Sequence, residues 1–286
     1  MKLIKSYFNG ISSTLKKLKI LSMLYVLTLI FALAVAIPFK DTISTNIGSS
    51  LAAIKLLKDF DYTTYSNFMH LFGDTIKPLY RTAFLLGIIY MLFFVFFSGG
   101  ILSSIKNNTN SLSQFWADSW TYFPRFFRLF LYSFLVMVII TILVFFPIAG
   151  IIAAVSNSTK SEETYFYIIS SGIIIYLFLI SIIVLVSDYS KIMLISDNAF
   201  RPFRTMLRSV SYIFKHFFSI YGMNLLFIIT GLALFVLYFI ITDKVGMVSG
   251  FTIFIIFLIQ QLFITCRLFL KISIYGGEVD LVKKIG

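Results

Sequence analysis

Apolar residues in this chain run on for twenty positions at a time instead of alternating or recurring on one face. Six such stretches stand out, about Leu18 to Ile37, Thr82 to Ile105, Phe126 to Val155, Tyr165 to Ser187, Phe217 to Ile241 and Gly246 to Leu270. A hydrocarbon core about 30 Å thick takes roughly 20 apolar residues at helical rise, so each is long enough to cross it. Backbone polar groups in lipid must be satisfied within a helix or a closed barrel. Barrel strands would be about ten residues of alternating polarity, so the uninterrupted runs predict helices. The expected fold class is an all-α polytopic membrane protein with six transmembrane helices in three hairpins.

A different pattern precedes some of these runs. In "LIKSYFNGISSTLKKLKI", Leu3, Ile4, Tyr7, Phe8, Ile11, Leu15 and Leu18 recur at helical spacing, with lysines gathered at the end. Two later segments, "SWTYFPRFFRLF" (Ser119 to Phe130) and "SVSYIFKHFFSI" (Ser209 to Ile220), align without a gap. Ser119 matches Ser209, Tyr122 matches Tyr212, Arg125 matches Lys215 and Phe127 matches Phe217. All three segments, beginning with residues 1–17, are expected to be amphipathic, to lie in the cytoplasmic interface and to turn into an outward-going helix. The connection over residues 38–81 is expected to form an extracytoplasmic cap, with short helices at "SSLAAIKLLKDF" and "YTTYSNFMHLF".

Composition agrees with a lipid solvent. The chain is 59% hydrophobic and only 13% charged, against about 25% charged in a soluble domain. The whole is read as a single integral membrane domain. Lysines before the first run and the small residues Ala34-Val35-Ala36 near its end imitate a secretory signal. The apolar run is longer than a usual signal core, which predicts a retained helix. Cys266, the single cysteine, rules out an intramolecular disulfide framework and reads as a packed thiol.

Charge orients the helices. With the N-terminus inside, the inner segments hold 17 of the 24 cations and five of the twelve acids. The full net charge of +12 then falls on one face, and positive-inside bias places both termini in the cytoplasm. The expected location is a bacterial inner membrane. That bias accounts for the basic face without nucleic acid, which is not an expected partner.

Chemistry is sparse. His70 and His216 fall on opposite faces and cannot share a metal or a proton. There is no P-loop, nucleophile elbow or HExxH, and no catalytic residue, metal site or cofactor is assigned. Asp188 and Asp197 flank "YSKIMLIS", with Lys191 at i+3 from Asp188 expected to pair with it on the helix surface. The neutral groups Asn224, Gln260 and Gln261 lie inside the fifth and sixth runs, where amides hydrogen-bond between helices or line a solute path. Small residues four apart, Gly99 with Ser103, Gly100 with Ser104, Ala149 with Ala153, Gly150 with Ala154 and Gly246 with Gly250, predict close helix contacts. Pro147 is expected to kink or end the third helix.

Four segments carry a resemblance: "DFDYTTYSNFMHLF", "FFSGGILSS", "FWADSWTYFPRFFRLF" and "SDYSKIMLISDNAFRPFRTMLRSV". Together they resemble a broad group of uncharacterised six-pass bacterial membrane proteins related to the membrane domain appended to some glycerophosphodiester phosphodiesterases. The resemblance implies six helices with interfacial segments and a membrane-associated accessory role. It lends no catalytic residues, since the soluble phosphodiesterase domain is not in this sequence.

The resulting reading is a non-enzymatic scaffold or lipid-organising protein. Arg125, Arg128, Arg201, Arg204, Arg208 and Lys215 would engage anionic lipid headgroups. The rival reading is a small permease for a neutral or amphipathic solute, with Asn224, Gln260 and Gln261 along its path. An enzyme acting on lipid headgroups would need a carboxylate cluster, for which Asp188 and Asp197 are a poor start.

Overall fold

A computed structural model describes residues 2–47, 62–156, 162–245 and 249–285. These residues form eight helices: α1 (Lys2–Leu15), α2 (Leu18–Ile47), α3 (Tyr62–Lys106), α4 (Leu112–Ser156), α5 (Glu162–Ser196), α6 (Pro202–Lys215), α7 (Phe217–Val245) and α8 (Gly250–Ile285). Six of them, α2, α3, α4, α5, α7 and α8, are long and apolar enough to cross a membrane. The protein is thus an all-α, six-span membrane protein.

The chain divides into two compact units. One comprises residues 21–94, the other residues 1–20 and 95–286. Within the first, α2 and α3 pair through rings. Phe31 meets Tyr90 and Phe93 at 5.5 and 5.4 Å, and Phe39 meets Tyr80 at 5.6 Å. Thr28 and Tyr90 share a hydrogen bond of 3.2 Å between their hydroxyls.

In the second unit, α4 pairs with α5 through Thr141, Phe145 and Tyr176. A stacked contact at 4.6 Å between Tyr238 and Phe263 joins α7 to α8. The core of this unit lies where the end of α3, the start of α4, the end of α5, the start of α7 and the end of α8 gather with α1 and α6. Buried there are Phe97, Leu102, Phe115, Phe126, Leu129, Leu185, Leu194, Ile213, Ile220 and Leu281. The other halves of α4, α5 and α7 present Leu143, Phe146, Ile174, Leu177, Leu232 and Phe239 outward, as helices in hydrocarbon do.

Helix α1 is inside out by the standard of a water-soluble protein. Its small and polar residues Ser6, Gly10 and Thr14 are buried, while Ile4, Phe8 and Leu15 are exposed. The buried stripe lies against α8. A Cβ on Gly10 would stand 2.6 Å from the Gly277 nitrogen and closer still to the Ser273 carbonyl oxygen, so only glycine permits this approach. Ser273 Oγ donates to Thr14 Oγ1 at 3.0 Å, and Tyr7 reaches α7 through a 2.8 Å hydrogen bond with Thr230. Small residues let helix backbones meet where apolar side chains have no reason to leave lipid.

Two of the three expected interfacial segments are separate helices. Helices α1 and α6 have 14 residues each and join their spans through short turns at Lys16–Lys17 and at His216. At the first turn Lys17 is only 2% exposed and donates to the Thr109 carbonyl at 2.5 Å. Burial, with Lys16 alongside, holds its ammonium below the usual lysine range.

The remaining segment, Ser119 to Phe130, is not separate. It continues without a break within α4, through both Pro124 and Pro147. The buried residues Phe115, Ser119, Phe126, Leu129 and Ser133 keep one helical phase across Pro124. The packing that would be lost by turning there holds the helix on course.

The expected helix over "YTTYSNFMHLF" forms the first turns of α3, and α2 runs through Pro38 to Ile47. The segment "SSLAAIKLLKDF" lies outside the described residues, as does Gly246. Gly99 and Gly100 do meet α4, at Tyr122 and at Phe115 and Ser119. Gly150 has nothing within 4 Å, so the small residues around it mark no contact.

Candidate functional site

Four of the six expected cations, Arg125, Arg201, Arg204 and Arg208, gather around one helix end. Helix α5 stops at Ser196, and Asn198 follows with φ 44°. The Asp197 and Ala199 amides donate back to the Met193 and Leu194 carbonyls at 2.9 and 3.1 Å. Asparagine tolerates this left-handed conformation better than most residues. The turn reverses the chain, and Pro202 opens α6 with its φ already suited to a helix.

Three stripes run along α6. Pro202, Thr205, Met206, Ser209 and Ile213 are buried. Phe203, Leu207 and Phe214 form an exposed apolar stripe. Arg201, Arg204, Arg208 and Lys215 are exposed on a third. The buried stripe is locked to α5, with Ser190 Oγ and Ser209 Oγ 2.7 Å apart and Ser209 also donating to the Val186 carbonyl at 3.2 Å. The Tyr189 and Tyr212 rings lie 6.1 Å apart across the same contact.

Between this helix and the turn runs an open groove of about 680 Å³, lined by Asp197, Ala199, Phe200, Arg201, Arg204, Thr205 and Arg208. Arg208 Nη1 donates to Asp197 Oδ2 at 2.6 Å. From α4, Arg125 Nη1 donates to Asn198 Oδ1 at 2.9 Å, and its guanidinium sits 4.1 Å from the centre of the Phe200 ring. The guanidiniums of Arg201 and Arg204 form no hydrogen bond or ion pair among the described residues, while the Arg201 carbonyl accepts from Thr205. The groove residues thus carry three guanidiniums against one carboxylate, a field suited to an anion.

Arg128 and Lys215 are exposed but outside the groove lining. Asn224 on α7 and Gln260 and Gln261 on α8 are half-buried on neighbouring helices. They do not line this groove, nor the polar 240 Å³ cleft between α1 and α8, whose walls include Asn9, Ser13, Lys16, Asn108, Asp280 and Lys283.

A second polar constellation went unread in the sequence. Asp188 and Lys191 pair at 2.8 Å, as their spacing implied, but with only 14% and 13% of their side chains exposed. The pair is therefore buried and not on the helix surface, because α8 extends past it. Lys191 Nζ lies 5.8 Å from the centre of the Tyr275 ring. Glu278, 1% exposed, belongs to the same cluster, and neither of its carboxyl oxygens has a hydrogen-bond partner among the described residues. Beside it, Gly276 and Gly277 receive α1, a doublet that could have flagged this length of α8 as packed. Among the described residues, no group of three or more His, Cys, Asp or Glu residues is placed to hold a metal ion.

Fold and groove together define a class: a multi-pass, all-α membrane protein with an arginine-lined groove at one end of its helices. Comparison of the chain with protein-family models, curated proteins and solved structures finds no match.

Proposed function

We propose that this chain is a non-enzymatic protein of a bacterial inner membrane, with both termini in the cytoplasm, whose basic face holds anionic lipid headgroups. Its work on this reading is scaffolding or organising lipid, in keeping with the accessory role implied by the resemblance. The observation that carries the proposal is the arrangement of α6. Its exposed stripe of Phe203, Leu207 and Phe214 runs alongside its arginine stripe. A helix of this kind lies in the interface with rings in the acyl boundary and cations at headgroup level. Each such cation contributes about 1 kcal/mol of attraction to an anionic surface. Helix α1, with Ile4, Phe8 and Leu15 outward and lysines at its end, supports the same placement.

Native mass spectra of gently extracted wild type and of the triple variant R201Q/R204Q/R208Q test the proposal. The expected result is loss of anionic lipid from the variant, with zwitterionic lipid unchanged. Equal retention of anionic lipid by the two proteins would overturn it and reduce these arginines to topology signals.

A further inference from the structure

The four guanidiniums around the groove are not equivalent. Arg208 is engaged by Asp197 at 2.6 Å, and Arg125 is held on Asn198 and over the Phe200 ring. The Arg201 and Arg204 guanidiniums remain available, Arg201 as the N-cap of α6 and Arg204 in its first turn, both on the lining of the same groove. The N-cap side chain and that of the third helical residue face one another at a helix start, so the two forks can close on one ligand. A guanidinium fork binds two oxygens of a phosphate at once.

Two such forks present four N–H donors, which saturate the two non-bridging oxygens of a phosphodiester and leave it nothing to offer Arg208. A phosphate monoester presents three terminal oxygens and a charge of about −1.5 to −2 at neutral pH. With Asp197 set against Arg201, Arg204 and Arg208, the groove lining has a net charge of +2. The oxygen count and the charge therefore match the monoester. The exposed Phe203 and Leu207 on the same helix give such a ligand's acyl chains a surface, which a free phosphate would not use.

Resting on the lipid reading above, we infer that the groove selects a lipid with a phosphate monoester headgroup, of the phosphatidic acid type, over lipids whose phosphate is a diester. Arg201 and Arg204 bind the phosphate, Arg208 adds its field, and Asp197 limits the charge that the groove accepts.

The test uses the full chain in phosphatidylcholine nanodiscs doped with equal amounts of phosphatidic acid or phosphatidylglycerol, with lipid counted by native mass spectrometry after mild release. The expected result is about fivefold greater retention of phosphatidic acid, the worth of one additional charge near a surface. In R201Q/R204Q that retention should fall to the phosphatidylglycerol level. In D197N, which frees Arg208, retention of both anionic lipids should rise. All three positions are on the exposed side of α6 or its turn and leave the core intact.

Equal retention of the two lipids by wild type, with both lost from R201Q/R204Q, would overturn the monoester preference and leave the anionic-lipid reading standing. Retention of both that is indifferent to R201Q/R204Q would overturn the two together. Displacement of phosphatidic acid by equimolar glycerol 3-phosphate would overturn the lipid source and make the groove a site for soluble phosphates.

Discussion

Replacing Gly10 with Ala adds one methyl group at a close helix approach in the second unit, where α1 meets α8. Its Cβ would stand 2.6 Å from the Gly277 nitrogen and 3.0 Å from Gly277 Cα, where ordinary contact begins near 3.4 Å. All of these neighbours are backbone atoms, so no side-chain rotation relieves the clash. The helices must part by about 0.8 Å, a gap that forfeits a quarter to a half of the dispersion energy of the atoms affected. Overpacking of this kind costs about 1–3 kcal/mol. The stretched hydrogen bond between Ser273 and Thr14 adds about 0.6 kcal/mol, the average for such bonds in membranes. Alanine's better helix propensity returns up to about 1 kcal/mol. With the full propensity gain the net loss is about 0.6–2.6 kcal/mol, a fall of several degrees in Tm for a chain of this size. Gly150→Ala is the control, because nothing lies within 4 Å of Gly150. It gains propensity without a clash, so its Tm should hold or rise. Thermal unfolding of both variants in one detergent decides the matter. A Gly10→Ala protein as stable as Gly150→Ala would refute the close packing of α1 on α8.

The buried cluster supplies two further predictions. Lys191→Met strands the Asp188 carboxylate and should cost about 3 kcal/mol, whereas the double change D188L/K191M should cost under half of that, since a buried pair repays little of its desolvation. A thermal-stability double-mutant cycle measures the difference, and equal losses would show the pair to be solvated. Glu278→Met removes a buried carboxyl that has no hydrogen-bond partner among the described residues and should raise stability by about 1–3 kcal/mol. A lower Tm would mean that Glu278 is satisfied by something bound.

The six spans were legible because hydrocarbon demands long apolar runs and leaves few alternatives. The outward stripe of α1 was legible too, since Ile4, Phe8 and Leu15 recur at helical spacing. What covers the opposite face was not. In lipid the contact is marked by Ser6, Gly10 and Thr14, which in the sequence look like the solvated side of an amphipathic helix. Spacing of small residues cannot settle such cases. Gly100 and Gly150 occur in similar patterns, yet one touches Phe115 and Ser119 while the other faces open space. The separate segment expected at Ser119 to Phe130 did not form for a related reason, because the continuous buried stripe of α4 outweighs the one backbone hydrogen bond that Pro124 removes. Glu278 drew no reading of its own in the sequence. The α8 helix has 36 residues, about 54 Å at helical rise, so its last turns lie well beyond a 30 Å span. There they are enclosed by α1 and α5, and the Gly276-Gly277 doublet is the one local sign of that enclosure.

The arginines were the most legible part of the candidate site, but their working geometry depends on residues with no visible chemistry. Arginine side chains lose about 2 kcal/mol of rotamer freedom when fully fixed, so a groove built on a loose segment would bind weakly. Here the backbone carrying Arg201, Arg204 and Arg208 is held by Ser209 against Ser190 and Val186, and by Thr205 and Met206 in the core. Asn198 sets the turn and at the same time accepts from Arg125, tying α4 to the rim. Ordering of the backbone is complete before any ligand arrives, and only the side-chain tips remain to be fixed. The dense core at this end of the second unit and the basic groove are therefore connected, since the packing that buries Tyr189, Ser190 and Ser209 is what keeps the guanidiniums in register.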